Sequence, residues 1–180
     1  MAANVQHCLV LIKPDGLAKS LTGNIITALS ETKLKIIGAK IVKVSKELAE
    51  AHYSELRQRK IEQFGEKEGT KIFEDVLKYI QGEYHTDRVF SLVYEGEDAI
   101  RKIRDIAGST NPEKADFTTI RGKYGRINSA TGVFENVVHV SDSDASAKRE
   151  IQLWFEPEEL TSVIYPVKKE NVSMDKILWA

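Results

Sequence analysis

His139 offers the most chemistry in this chain, and it stands among valines in the stretch "ENVVHVSDSDASAKREIQLWF" from Glu135 to Phe155. Imidazole has an unperturbed pKa of about 6.5, so a neutral ring is a competent nucleophile near pH 7. Ser141 and Ser143 follow in positions from which either can cap a helix, and free N–H groups at a helix start form an anion site. Glu150, two helical turns beyond Ser143, can accept from one ring nitrogen and leave the other free to attack. The same residues also fit a plainer reading, with His139 as a satisfied core histidine and Asn136 as polar padding. A hydrolytic triad of His139, Ser141 and Asp142 is disfavoured, because the three lie too close along one strand end.

Phosphate is the ligand that the remaining polar residues suit. The segment from Arg101 to Arg126 has seven basic residues against three acidic ones. Any one of them can be a solvated surface charge. Arg104 falls near the end of a helix, and Arg121 precedes a glycine in a long loop, as suits guanidinium groups gripping an anion. Lys13 sits where the first strand meets the turn "KPDG". No G-x-x-x-x-G-K-[ST] or G-x-G-x-x-G occurs, so neither familiar phosphate loop operates. The four histidines and one cysteine make no zinc spacing, and no protein-borne metal site is expected.

The elements that must position these residues follow from periodicity. Residues 8–12 are continuously apolar and read as a central strand; Thr22 can cap a helix, and "KIIGAKIVKV" reads as a second strand. Ser45 caps a helix through "KELAEAHYSELRQR", after which Ile72, Phe73, Val76, Leu77 and Ile80 form an amphipathic stripe. "RVFSLVYEG" is a third strand, and "DAIRKIRDIAG" a helix stopped by Gly108. Residues 109–131 carry no sustained period; "VFENVVHV" is a fourth strand, and Ala147, Ile151, Trp154 and Phe155 lie along one stripe of a last helix. The order β-α-β-α-α-β-α-β-α predicts an α+β, ferredoxin-like βαββαβ antiparallel sheet with additional helices over one face.

With 180 residues, 42% hydrophobic and 29% charged, the chain is expected to form a single domain over residues 1–180, with a C-terminal tail from about 162. Its formal net charge of −1 argues against a protein that coats nucleic acid. The lone Cys8 and the lack of a basic leader or apolar span give the expectation of a cytoplasmic protein with no membrane partner.

Five ordered motifs, "LIKPDG", "STNP", "TIRG", "NVVHVSDS" and "SAKREIQLWF", together resemble the nucleoside diphosphate kinase family from about Cys8 to Leu160. The resemblance implies an enzyme of ferredoxin-like fold that moves the terminal phosphate of ATP or another nucleoside triphosphate to a nucleoside diphosphate. It does so ping-pong, through a phosphohistidine, with little base selectivity and with Mg2+ carried by the nucleotide. His139 matches the phosphorylated histidine; Ser141 and Glu150 match the groups that orient it; Tyr53 matches a tyrosine near the phosphate. Lys13, Arg104, Thr110, Arg121 and Asn136 match phosphate and sugar contacts, and Phe73, rather than Ile72 or Phe64, is taken as the residue that stacks on the base. Homo-oligomerisation is implied as well. The chain departs from the pattern in two lengthened segments, in Glu135 where an arginine is usual, and in Val140 where a glycine is usual. Beside the kinase stand two other readings, a non-catalytic nucleotide-binding member and, weakest, a nucleic-acid binder using residues 101–126.

Overall fold

Every residue of the run Cys8–Ile12 is fully buried, so the strand they form has two apolar faces and both must be covered. That requirement sets the architecture. The computed structural model describes residues 4–171, and in it β1 (Val5–Ile12) lies inside a four-stranded antiparallel sheet. β2 (Lys35–Lys43), β3 (Arg88–Glu97) and the short β6 (Val138–Val140) complete it in the order β2-β3-β1-β6. This is the ferredoxin-like order expected from the sequence.

Helices cover both faces rather than one. α2 (Thr22–Ser30) and α6 (Ala99–Ala107) set Ile25, Leu29, Ile100 and Ile103 against Cys8, Val10 and Ile12. α3 (Lys46–His52), α5 (Glu66–Gln81) and α8 (Asp144–Trp154) set Ala49, Leu77, Ile80, Ile151 and Trp154 against Leu9 and Leu11. Alternate residues of one strand thus feed two separate cores. No helix among the described residues is long and apolar enough to cross a membrane.

Several local expectations are corrected. Thr22 is the first residue of α2 and makes no cap. The helix read from Lys46 through Arg59 breaks at Tyr53, giving α3 and a separate α4 (Leu56–Phe64) with no fully buried residue. Ser45 does cap α3, its hydroxyl accepting from the Leu48 N–H at 3.1 Å. Residues 109–131 hold a 3-10 turn at Pro112–Lys114, α7 (Ile120–Tyr124) and β4 (Arg126–Ile127), each too short to show a period. The fourth strand is split: β5 (Phe134–Glu135) pairs with β4, and β6 joins the main sheet. Val137, at φ 58°, makes the break. A short helix, α1 (Pro14–Ala18), follows β1 at once. The tail leaves regular structure after the 3-10 turn at Pro157–Glu159, yet Leu160, Ile164 and Tyr165 pack on the core. Residues 172–180 of the expected tail lie outside the described residues.

Candidate active site

Val137 is the joint on which the site is built. A β-branched residue at positive φ is strained by roughly 1–3 kcal/mol, and its surroundings hold it there. The Lys13 N–H donates to the Val137 carbonyl at 2.9 Å, and the Val137 N–H donates to the buried Asp15 carboxylate at 2.9 Å. Asp15, which reads in the sequence as a turn former, is therefore a structural ligand for strained backbone. The two bonds fix the start of α1 against the entry to β6, and so bring Lys13, Asn136 and His139 to one cleft of about 410 Å³.

His139 lies opposite Leu11 in the β1–β6 pairing, so it shares the sheet face covered by α3, α5 and α8. Its half-buried ring sets Nε2 3.1 Å from Glu150 Oε2, an ion-pair distance at which the N–H axis is out of line for a hydrogen bond. Glu150 is buried on α8 and is held by Ser141, whose hydroxyl donates to Oε2 at 2.6 Å. Ser141 is not a helix cap, because its Oγ also accepts the Leu9 N–H at 3.1 Å and extends the β1–β6 pairing past the last strand residue. Ser143 is the cap of α8, accepting from the Ser146 N–H at 3.1 Å. Burial works against the charge on Glu150, but the His139 ring beside it and the hydrogen bond from the Ser141 hydroxyl outweigh it and hold the carboxyl below its ordinary range.

Among the described residues, Lys13, Arg104 and Arg121 at the cleft make no ion pair, whereas Arg149 lies 3.8 Å from Glu150 Oε1. Arg121 is 5% exposed on α7, with Nη1 donating to the Gly108 carbonyl at 2.7 Å and Nη2 to the Val138 carbonyl at 3.2 Å. Its Nε has no partner, and it makes no ion pair among the described residues. Burial, then the neighbouring Arg104 charge, pulls its pKa down to about 10, so it is still a cation at neutral pH. The Gly108 carbonyl is placed by a turn at φ 83° where a Cβ would come within 2.3 Å of Thr119 Oγ1, which only glycine allows. Lys13 Nζ donates to the Phe134 carbonyl at 3.2 Å, and burial lowers its pKa. Arg104 is exposed at the mouth. Asn136, 6% exposed, donates to the Thr110 carbonyl at 2.7 Å. Tyr53 stands edge-on to His52 with ring centroids 4.6 Å apart, and burial pushes its hydroxyl pKa up.

Phe73 is not in the cleft. It packs in the core with Leu77 and Ile80, whereas Ile72 and Val76, on the neighbouring stripe of α5, line the cleft. Adjacent helix positions differ by about 100°, and tertiary packing decides which stripe turns inward. Phe64 is exposed at the end of α4 and does not line the cleft either.

Four further residues reach the cleft that the sequence reading did not single out as ligands: His52, Arg59, Lys60 and Arg149. Arg149 donates to the Ala51 carbonyl at 3.1 Å and so ties α8 to the last turn of α3. Arg59 and Lys60 offered a signal in "LRQRK", a basic run on a helix without an apolar stripe.

The two departures have structural accounts. Val140 pairs with Val10 inside β6, has no positive φ and packs in the core, so no glycine is needed there. Glu135 is 1% exposed and accepts from Arg126 Nε at 2.5 Å and Asn128 Nδ2 at 3.0 Å, with His85 Nε2 3.3 Å away. Burial raises its pKa, but the bonds and charges of Arg126, Asn128 and His85 prevail and bring it to about 2. The lengthened loop is thus closed on an internal carboxylate. Arg126 is committed to that carboxylate, and Arg101 to Asp98 at 2.7 Å, so the 101–126 charges do not act as one patch.

Residues 6–160 match the family described as Nucleoside diphosphate kinase. The chain is 41% identical over 167 residues to a nucleoside diphosphate kinase of Staphylococcus carnosus (strain TM300), covering 93% of this chain and 97% of that one. It is 40% identical over 158 residues to one of Listeria monocytogenes serotype 4b (strain CLIP80459), covering 88% and 94%. Among solved structures, an NDP kinase from Pyrobaculum aerophilum superposes with a TM-score of 0.76 at 29% identity over 87% of this chain and 98% of that one. A transition state mimic of the Borrelia burgdorferi enzyme with bound vanadate and ADP gives a TM-score of 0.74 at 29% identity, over 92% and 94%.

Proposed function

The chain belongs to the nucleoside diphosphate kinase family, and we propose that its phosphoryl transfer runs in two half-reactions through His139. The observation that carries this reading is a buried Arg121 and a half-buried Lys13, neither in an ion pair among the described residues, beside a half-buried histidine that faces a carboxylate. An unpaired buried charge is unfavourable by several kcal/mol, and a phosphate group relieves it. The vanadate and ADP held by the Borrelia burgdorferi relative support the same ligand chemistry.

With Glu150 at Nε2, the ring proton resides on Nε2 and the Nδ1 lone pair is the nucleophile. Nδ1 attacks the terminal phosphorus of a nucleoside triphosphate, the N–P bond forms, and the bond to the diphosphate oxygen breaks. The positive charge that develops on the ring is stabilised by Glu150, itself oriented by Ser141. The terminal oxygen of a second diphosphate then attacks the phosphohistidine and restores neutral His139. No general base is required, because phosphoryl transfer depends on positioning and charge stabilisation. Lys13, Arg104 and Arg121 supply that charge, while Asn136, Thr110 and Tyr53 orient phosphate and sugar. Leu56, Ile72, Val76 and Val133 give the base apolar walls in place of the expected Phe73, and apolar contact without hydrogen-bond readout fits low base selectivity.

Magnesium takes oxygen ligands. Asp15 and Asp142 at the cleft are already engaged by protein donors, and Glu150 stands beside two imidazoles rather than other oxygens, so the ion fits as cargo on the nucleotide phosphates, where it neutralises charge. A cytoplasmic setting and assembly of several copies belong to the same reading; β2 is an open sheet edge with Ile36 and Ile41 exposed, which suits self-association.

Initial rates measured over a grid of ATP and a second diphosphate test the two-step scheme. Parallel double-reciprocal lines are expected, and intersecting lines would require a direct transfer in a ternary complex.

A further inference from the structure

Beside the proposed nucleophile, His52, His139 and Glu150 each direct one ligand atom into a space where the three lie within 4.8 Å of one another. We propose that this triad is an inhibitory site for a borderline transition-metal dication, with Zn2+ as the type ion, bound by Nε2 of both histidines and a Glu150 oxygen.

The donors are spare. His52 Nε2 and His139 Nε2 are both buried with no hydrogen-bond partner among the described residues, whereas buried polar atoms in folded proteins are nearly all partnered. The donor set is right for the ion: two imidazoles and a carboxylate, with a fourth position left open, is a common zinc arrangement. Magnesium, which wants oxygen ligands in an octahedron, is rejected by the same set, so the site is selective against the ion that travels with the nucleotide. The spacing needs only a small adjustment. His139 Nε2 and Glu150 Oε2, 3.1 Å apart, already lie at roughly the separation of two ligands on one tetrahedral ion. All three residues line the cleft, which is the entry path, and Ser141 braces Glu150 from behind.

Two consequences follow from the ring protons. A neutral imidazole with a metal on Nε2 carries its proton on Nδ1, so the ion removes from His139 the lone pair that attacks phosphorus. His52 is held in the opposite tautomer. The Trp154 indole N–H, which can only donate, gives its hydrogen bond to His52 Nδ1 at 3.2 Å, and the neutral His52 ring therefore has its proton on Nε2. Metal binding moves that proton to Nδ1 and gives up the Trp154 bond, so Trp154 weakens the site by about fivefold.

The test uses full-length, nucleotide-free protein with millimolar Mg2+ present throughout. Zinc chloride is titrated by calorimetry, and cobalt chloride by visible absorption, against the wild type, His52→Gln and Trp154→Phe. Circular dichroism checks that each variant is folded. One ion per chain is expected, with binding about tenfold or more weaker in His52→Gln and about fivefold tighter in Trp154→Phe. In a Trp179→Phe background, Trp154 fluorescence is expected to change in step with zinc occupancy. Equal affinity of His52→Gln and wild type, or no gain in Trp154→Phe, would overturn the site. Phosphoryl transfer should fall in proportion to occupancy. That part rests on His139 as nucleophile, whereas the binding measurements do not, so stoichiometric binding without inhibition would overturn the inhibition alone.

Discussion

Lys13 and Arg121 are placed for a ligand and against stability, since one is a half-buried and the other a buried cation, neither with an ion pair among the described residues, and burial lowers the pKa of both. Replacing Lys13 by Met should therefore raise the melting temperature while lowering kcat/KM by about a hundredfold or more. The two effects are read by calorimetry and by coupled assay. Saturating Mg·ADP should stabilise the wild type by about 2.7 kcal/mol at a hundredfold excess over Kd, and the variant by clearly less. Glu135 makes the opposite case, a buried charge with three partners. Its folded pKa of about 2 is depressed below the ordinary carboxylate value, so its contribution to stability is complete above about pH 5 and is lost as pH falls toward 2. Denaturant melts of Glu135→Gln should be weaker than wild type at pH 7 and converge with it near pH 2; a constant gap would show that the charge is not the cause. At this scale the sequence was legible where a residue's role follows from its type and its place at a strand end, as for Lys13 and His139. It was silent on Asp15 and Val137, because "KPDG" and "NVVH" do not reveal that one carboxylate restrains backbone more than a hundred positions away.

Elements decide which of several similar residues reaches the cleft. Phe73 and Ile72 are neighbours on α5, and both belong to its apolar set, but only packing on the sheet tells the buried stripe from the cleft stripe. Helix α4 has no fully buried residue, is anchored at its start by the partly buried Leu56, and is held close to α5 through Gly69, where an added Cβ would come within 2.5 Å of the Lys60 and Ile61 backbone. Gly69→Val should push α4, with Arg59 and Lys60, away from the cleft. The expected result is a several-fold rise in nucleotide KM with kcat largely kept, and a loss of about 1–3 kcal/mol in stability from overpacking. A fall in kcat alone would mean that α4 acts on the chemical step and not on binding. The break that separates α3 from α4 was not legible, since Leu48, His52 or Tyr53, and Leu56 read as one helix face through it, the set with His52 at steps of four.

For the whole molecule, two cores on opposite faces of one sheet put the proposed nucleophile, its carboxylate and its cations on different layers that cannot shift independently. Lys13 stands between β1 and α1, β6 carries His139, α8 carries Glu150, and α7 carries Arg121. The antiparallel order of strands was legible from the alternation of strand and helix patterns, while the double-sided cover was implied by the unbroken run "CLVLI" and is clear only once its residues divide between two cores. The most direct measurement of the central claim is a single-turnover chase. Protein incubated with γ-labelled ATP and magnesium, then freed of nucleotide, should carry an acid-labile, base-stable label on His139 that unlabelled GDP removes quantitatively as labelled GTP. Absence of label, label that persists in His139→Ala, or label that no diphosphate discharges would contradict the account.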